Sequence, residues 1–186
     1  MSAHETTRLI THCLDGDEVA IETLIRTCEP QVYRLALSIL DDAAEADEAT
    51  QDTFVAALRA LGSFQGKAAF TTWLYAITVN VCRGRLRKRQ VRQRLQQTLQ
   101  TLFQAGTAAE PIESVVTRHE NDDLIRRAVN ALDEKQRLAV ILRYEQDLPI
   151  AEIAQVLEVS ERTVHTRLRI AHDQLRVALN GQLEHQ

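Results

Sequence analysis

The sequence predicts an all-α fold: two small helical domains joined by a flexible linker. Three observations carry that expectation. Glycine and proline are scarce, 6 and 3 in 186 residues, while the strong helix formers Ala, Leu, Arg, Glu and Gln abound. Apolar residues recur at intervals of three and four, and no strand-like alternation persists. One stretch, 93–120, interrupts the pattern with a low-charge run containing Gly106 and Pro111. The expected division is therefore a domain at 1–92, a linker at 93–120 and a second domain at 121–186.

With 45% hydrophobic and 26% charged residues, the composition is that of a soluble globular protein. No apolar run approaches the roughly 20 residues that cross a bilayer. The opening MSAHETTRLITHCLDGDE carries charges where a signal peptide needs an unbroken apolar segment. The expectation is a cytoplasmic chain with no membrane insertion. Cys13, Cys28 and Cys82 lie far apart without a C-x-x-C pair, and the histidines are dispersed, so neither a disulfide framework nor a metal site is expected. Nothing shows a Ser-His-Asp ordering or a Gly-rich phosphate loop. The chain is read as a non-enzyme with no catalytic residue, metal or cofactor.

From Glu18 to Leu40, the residues Val19, Leu24, Ile25, Val32, Leu35, Ala36, Ile39 and Leu40 predict one or two amphipathic helices broken near Pro30, which lacks an N–H. A second helical segment is expected from about Ala43 to Leu61, with acids in its first turns, where the helix dipole favours them. Gly62 to Lys67 reads as a loop, and Ala69 to about Arg89 as a third helix. Around that loop gather Phe64, Phe70, Trp73 and Tyr75, and Arg83 to Arg94 follow without one acid. Aromatics beside a cationic track suit single-stranded nucleic acid, because bases stack on rings while phosphates follow the charge. The same residues also fit a packed core with a solvated helix end.

In the C-terminal part, Asp133 and Gln136 have capping-box spacing for a helix running to about Tyr144. After the break at Gln146 to Pro149, Ala151, Ile153, Ala154 and Leu157 mark a short second helix. Glu158, Val159 and Ser160 form a turn, and Ser160 can cap a third helix whose core side is Val164, Leu168, Ala171 and Leu175. Its other face carries Arg162, His165, Thr166 and Arg169, with Arg167 toward the edge. That pattern suits a helix-turn-helix in a DNA major groove, or else a three-helix bundle with a solvated basic face. Glu158 stands where such turns often use glycine, and a left-handed backbone costs a non-glycine residue about 1 kcal/mol. The net charge is −4, but acids cluster from Asp41 to Asp52 and bases from Arg83 to Arg94. Separate acidic and basic surfaces imply two kinds of partner.

Three runs, EADEATQDTFVAALRAL, SFQGKAAFTTWLYAITVNVCRGRLRKR and ALDEKQRLAVILRYEQDLPIAEIAQVLEVSERTVHTRLRIA, stand in this order. Together they resemble the bacterial RNA polymerase sigma factors of the extracytoplasmic-function group, over most of the chain from about Ile21 to Ala178. The resemblance implies a sigma region 2 domain for core polymerase binding and −10 melting, and a region 4 domain for the −35 element. It implies that Asp47, Glu48, Gln51, Asp52, Phe54 and Leu58 dock on the clamp of the largest polymerase subunit. Phe64, Gly66, Lys67, Phe70, Thr71, Trp73 and Asn80 would capture an unpaired −10 base, with Arg83, Arg85 and Arg87 tracking phosphates beside it. Arg162, His165, Thr166, Arg167 and Arg169 would read the −35 element. Lys67 stands where the family often has an acidic or small polar residue, and His165 where it often has a longer base, so the DNA sequence preferred cannot be copied from relatives. Members of the group are often held by an anti-sigma factor, which becomes an expected partner beside core RNA polymerase and promoter DNA. Rival readings of the residues alone are a two-domain repressor or activator and a helical adaptor.

Overall fold

A computed structural model describes residues 3–103 and 120–183. Among these, eight α-helices and one 3-10 turn occur and no strand does. The first helix, α1 (Ala3–Leu14), lies ahead of the segments the sequence marked as helical, and Ile10 and Cys13 bury its inner side. Next comes α2 (Glu18–Leu40). Asp17 caps it by accepting the Val19 and Ala20 N–H groups at 2.9 and 3.2 Å, a contribution of about 1 kcal/mol.

No break occurs at Pro30; α2 is continuous. The proline sits exposed, while Leu24, Cys28, Val32 and Leu35 are buried on either side of it. An interior proline costs about 3 kcal/mol, whereas losing one such buried leucine costs about 2–5 kcal/mol. Burial on both flanks therefore holds the helix together. It ends at Asp41, whose φ of 53° is left-handed.

Asp42 then caps α3 (Ala43–Ala60) through the Glu45 N–H at 2.8 Å. Inside α3, Thr50 and Thr53 are buried with their hydroxyls donating back to Ala46 and Ala49 carbonyls at 2.8 and 2.7 Å, which satisfies them without a partner helix. A 3-10 turn, Leu61–Ser63, leads into the loop before α4 (Phe70–Phe103). That helix runs well past Arg89 and through position 93, where the linker was expected to begin. The reason is local: from Gln90 to Phe103 the chain contains no glycine or proline and is rich in Arg, Gln and Leu. The rest of the expected linker, 104–119, lies outside the described residues.

The second unit comprises α5 (Glu120–Asn130), α6 (Glu134–Tyr144), α7 (Ile150–Val156) and α8 (Glu161–Leu183). Leu138, Ile141, Leu142, Ile153 and Val164 are fully buried at its centre. Asp133 occupies the N-cap of α6 but makes no side-chain capping bond, and the Gln136 Oε1 is buried without a hydrogen-bond partner, so the expected capping box does not form. Without those bonds, α6 opens on its Glu134 in the first turn, where the helix dipole favours an acid. Between α7 and α8, Glu158 takes a φ of 53°. The Val159 N–H bonds the Ala154 carbonyl at 3.0 Å and the Glu158 N–H that of Gln155 at 3.3 Å, a Schellman ending. Ser160 caps α8 through the Thr163 N–H at 3.2 Å.

The two units pack against each other. One apolar cluster runs from Leu35, Tyr75, Val79 and Cys82 into Leu138, Ile153 and Leu157. Polar contacts border it. Thr72 donates to the Glu152 carboxylate at 2.5 Å, Arg83 Nε to Glu134 at 2.8 Å, and Asn130 to Asp41 at 2.8 Å. Ser38 also donates to Glu145.

Candidate polymerase and nucleic-acid interfaces

On α3, Asp47, Glu48, Gln51 and Asp52 are all exposed. Spacings of three and four place them along one side of the helix, forming an acidic face. Phe54 belongs to the same set but is only 8% exposed and packs in the core with Leu61 and Phe70. Leu58 is half-buried. Beside the acids, Glu29, Pro30 and Tyr33 of α2 join Asp47, Thr50 and Gln51 around a shallow depression of about 310 Å³. Sequence reasoning missed these α2 residues, because only the helix packing brings them to that edge.

Arg83, Arg85 and Arg87 do not form the expected single cationic track. Positions two apart on a helix point roughly 200° away from each other. Arg87 is exposed, Arg83 turns to Glu134 of the second unit, and Arg85 turns to α3. There its Nη1 meets Glu48 at 2.7 Å and its Nη2 meets Asp52 at 2.5 Å. Burial pulls the Arg85 pKa down, but its bonds to the two carboxylates outweigh that and hold it above the ordinary value. Arg89 is likewise drawn toward α3, with Glu45 at 3.9 Å.

Three of the four aromatics form one unit, while Tyr75 is buried in the cluster that the second unit shares. Phe64, Phe70 and Trp73 meet pairwise with centroids 5.4 Å apart, Phe64 standing edge-on to Phe70, geometries favoured by ring quadrupoles. Phe70 is buried at 5% exposure; Phe64 and Trp73 are half-buried. Phe70 is thus core, and with Phe64 it also borders an opening. A pocket of about 340 Å³ lies against them, with Phe64, Gly66, Phe70 and Thr71 in its wall. Gly66 has a φ of 66°, which suits glycine at that bend. Lys67, Trp73 and Asn80 do not line the pocket; Lys67 and Asn80 are exposed. Thr6 and Thr7 of α1, with Thr27 and Gln31 of α2, complete its wall. No sequence spacing marks these four, since they come from separate helices.

On α8, Arg162, His165, Thr166 and Arg169 are exposed on the side opposite the buried Val164, Leu168 and Ala171. Thr166 donates to the Arg162 carbonyl at 3.0 Å, and Arg169 lies 3.7 Å from Asp173 one turn on. Arg167 is set apart. It is half-buried, its Nη1 has no hydrogen-bond partner, and burial, then the charge of Arg83, pulls its pKa down. Its place at the edge of the exposed face is thus also a place near the other unit. Among the described residues, no cluster of His, Cys, Asp and Glu could hold a metal ion, and no helix is long and apolar enough to cross a membrane.

Comparison with known proteins gives this geometry its context. The sigma-70 region 2 family model matches residues 24–92 and the sigma-70 region 4 model residues 122–171. The extracytoplasmic-function RNA polymerase sigma factor SigM of Mycobacterium tuberculosis is 32% identical over 160 residues, 86% of this chain and 77% of that protein. RNA polymerase sigma-H factor of Pseudomonas aeruginosa is 29% identical over 96% of both chains. Among solved structures, CnrH in complex with the cytosolic domain of CnrY superposes with a TM-score of 0.66 at 24% identity, covering 93% of this chain and 96% of that one. The sigma factor RpoE of Bartonella quintana, in complex with the anti-sigma factor NepR, gives 0.64 at 23% identity over 86% and 96%. At those identities the structures speak to fold; the sequence matches speak to family. The chain belongs to the extracytoplasmic-function sigma factors of bacterial RNA polymerase, which direct promoter recognition and transcription initiation through regions 2 and 4.

Proposed function

We propose that the chain docks on the clamp of core RNA polymerase through the acidic face of α3 and reads the −35 element with α8. In the same reading, it captures an unpaired −10 base of the non-template strand at the pocket beside Phe64, Phe70 and Thr71. The unit containing α1 to α4 acts as the region 2 domain, and α5 to α8 as the region 4 domain. Asp47, Glu48, Gln51 and Asp52 supply the docking charge, with Leu58 at their margin and Phe54 supporting from beneath. Arg162, His165, Thr166 and Arg169 meet base edges and phosphates in the major groove. Lys67, Asn80 and Arg87 lie near enough to the aromatic unit in sequence to guide the strand's phosphates by charge and hydrogen bonding. Trp73 braces the rings that border the pocket.

The observation that carries this reading is the exposed quartet on α8, displayed from a helix whose start is fixed by the Glu158 turn and the Ser160 cap. A helix fixed at its N-terminus and bearing donors outward is what major-groove docking needs. The protein acts without covalent chemistry of its own, in the cytoplasm where polymerase works. CnrH and RpoE were solved with CnrY and NepR, and an anti-sigma partner is proposed here too. Purified core polymerase tests the reading: the chain should co-elute with it and confer binding to a promoter fragment that neither binds alone. Free elution beside core would refute it.

A further inference from the structure

Arg85 comes from α4, yet both ends of its guanidinium reach α3, 2.7 Å from Glu48 and 2.5 Å from Asp52. Glu48 and Asp52 are four residues apart on one helix face, where like charges repel. A cation forked between them relieves that repulsion and holds both side chains in fixed rotamers. Arg85 itself is only 21% exposed, whereas the carboxylates are 68% and 58% exposed. Each gives Arg85 one oxygen, and a carboxylate accepts about four hydrogen bonds. Much of each acid therefore remains open to an incoming donor. The arginine does not share the exposed side of Arg87, so it is poorly placed to follow a strand there.

We propose that Arg85 is a positioning residue of the polymerase-docking face, pre-organising Glu48 and Asp52 for core, and not a phosphate contact. This rests on the reading of α3 as that face. Fixing two flexible acids before contact removes an ordering cost that core binding would otherwise bear. Lysine is a poor substitute, since a single ammonium lacks the planar fork that spans two partners.

The test measures affinity of the full chain for core polymerase and, separately, for a single-stranded −10 oligonucleotide. It uses Arg85→Ala, Arg85→Lys, Glu48→Gln with Asp52→Asn, and the combination of those two substitutions with Arg85→Ala. Arg85→Ala should weaken core binding about tenfold, leave oligonucleotide affinity within about twofold, and add nothing once both acids are neutralised. Arg85→Lys should recover part of the loss. A merely structural arginine would add its loss in either background. Weaker oligonucleotide binding with unchanged core affinity would overturn the proposal in favour of a phosphate contact, and tighter core binding would show that Arg85 competes with core. If neutralising both acids alone leaves core affinity intact, the docking reading itself fails. Circular dichroism identifies a misfolded Arg85→Ala; the lysine variant, which keeps the charge, then decides by the same two affinities.

Discussion

Arg83 Nε lies 2.8 Å from Glu134 Oε1, joining the helix that follows the aromatic pocket to α6, the helix ahead of the α7–turn–α8 pair. With Thr72 on Glu152 at 2.5 Å, it borders an apolar contact between the two units. Both acids come from the C-terminal unit, and both donors from α4. Arg162, His165, Thr166 and Arg169 on α8 stay exposed in this arrangement, while Arg83 is engaged.

Neutralising both acids, Glu134→Gln with Glu152→Gln, should therefore loosen the packed arrangement. The loss in stability should be modest, about 1 kcal/mol for each pair, since Glu134 is 38% exposed and solvent screens it. Small-angle scattering should report a larger radius of gyration for the free protein. An unchanged radius would mean that the apolar contact alone sets the arrangement.

Thr166→Ala and Arg169→Ala should each weaken discrimination at the −35 element by about 1–3 kcal/mol. Core polymerase binding should stay intact, because α8 lies in the other unit from the acidic face. Competition between promoter fragments with intact and altered −35 elements measures this. Unaltered selectivity in both variants would remove α8 from the recognition role.

Charge reversal at Asp47 and Asp52 should abolish association with core while preserving helicity. Both side chains are exposed; Asp47 acts through a partner's basic surface, while reversal of Asp52 also sets a cation against Arg85, so the Asp47 reversal alone should weaken core binding too. Pull-down of core subunits by a folded double variant would contradict the docking face.

Trp73→Ala with Phe70→Ala should impair promoter opening more than closed-complex formation. Each lost base–aromatic contact is worth about 1–3 kcal/mol, but Phe70 is buried at 5% exposure, and truncating such a ring can cost about 3–5 kcal/mol of stability. Thermal melting must accompany the assay. In a folded variant, a pre-melted bubble should restore part of the activity; equal loss on duplex and bubble templates would confine the rings to strand capture or packing and remove them from opening.

Cys82 is fully buried, and burial pushes its thiol up to about 12 from 9.0. Because the folded pKa lies above the unfolded one, the thiol favours the fold below about pH 9, and that advantage disappears as pH rises toward 12. Near neutral pH its thiolate is therefore far scarcer than that of a free thiol. Native-state labelling with a thiol reagent should be slow and should accelerate only with unfolding. Rapid labelling of folded protein would contradict the packing around α4.

Most of the architecture was legible because the periodicity that buries Leu24, Leu35, Val164 and Leu168 is written in the chain itself. What escaped depended on contacts between distant segments. Pro30 reads as a breaker until the buried residues on both sides of it are seen to hold one helix. Asp133 and Gln136 have capping-box spacing, but neither side chain makes the reciprocal bond. The cluster Arg83, Arg85 and Arg87 looks like one track in a linear sequence, yet helical geometry sends Arg85 to α3 and Arg83 to Glu134. Thr6, Thr7, Thr27 and Gln31 join the aromatic pocket only through the packing of α1 and α2 beside the loop. Glu158, which stands where such turns often use glycine, takes the left-handed backbone itself, so the turn forms in spite of the strain the sequence suggested.

The most direct test of the central claim is initiation itself. Core RNA polymerase is incubated with and without this protein on fragmented genomic DNA from the source organism, and the 5′ ends of the transcripts are mapped. The account predicts a set of new start sites that appear only with the protein and share one −35 and one −10 sequence. It predicts their loss with the Asp47 and Asp52 reversal. Tight binding to DNA fragments with no new start site would contradict it, leaving a helix-turn-helix protein that works without polymerase.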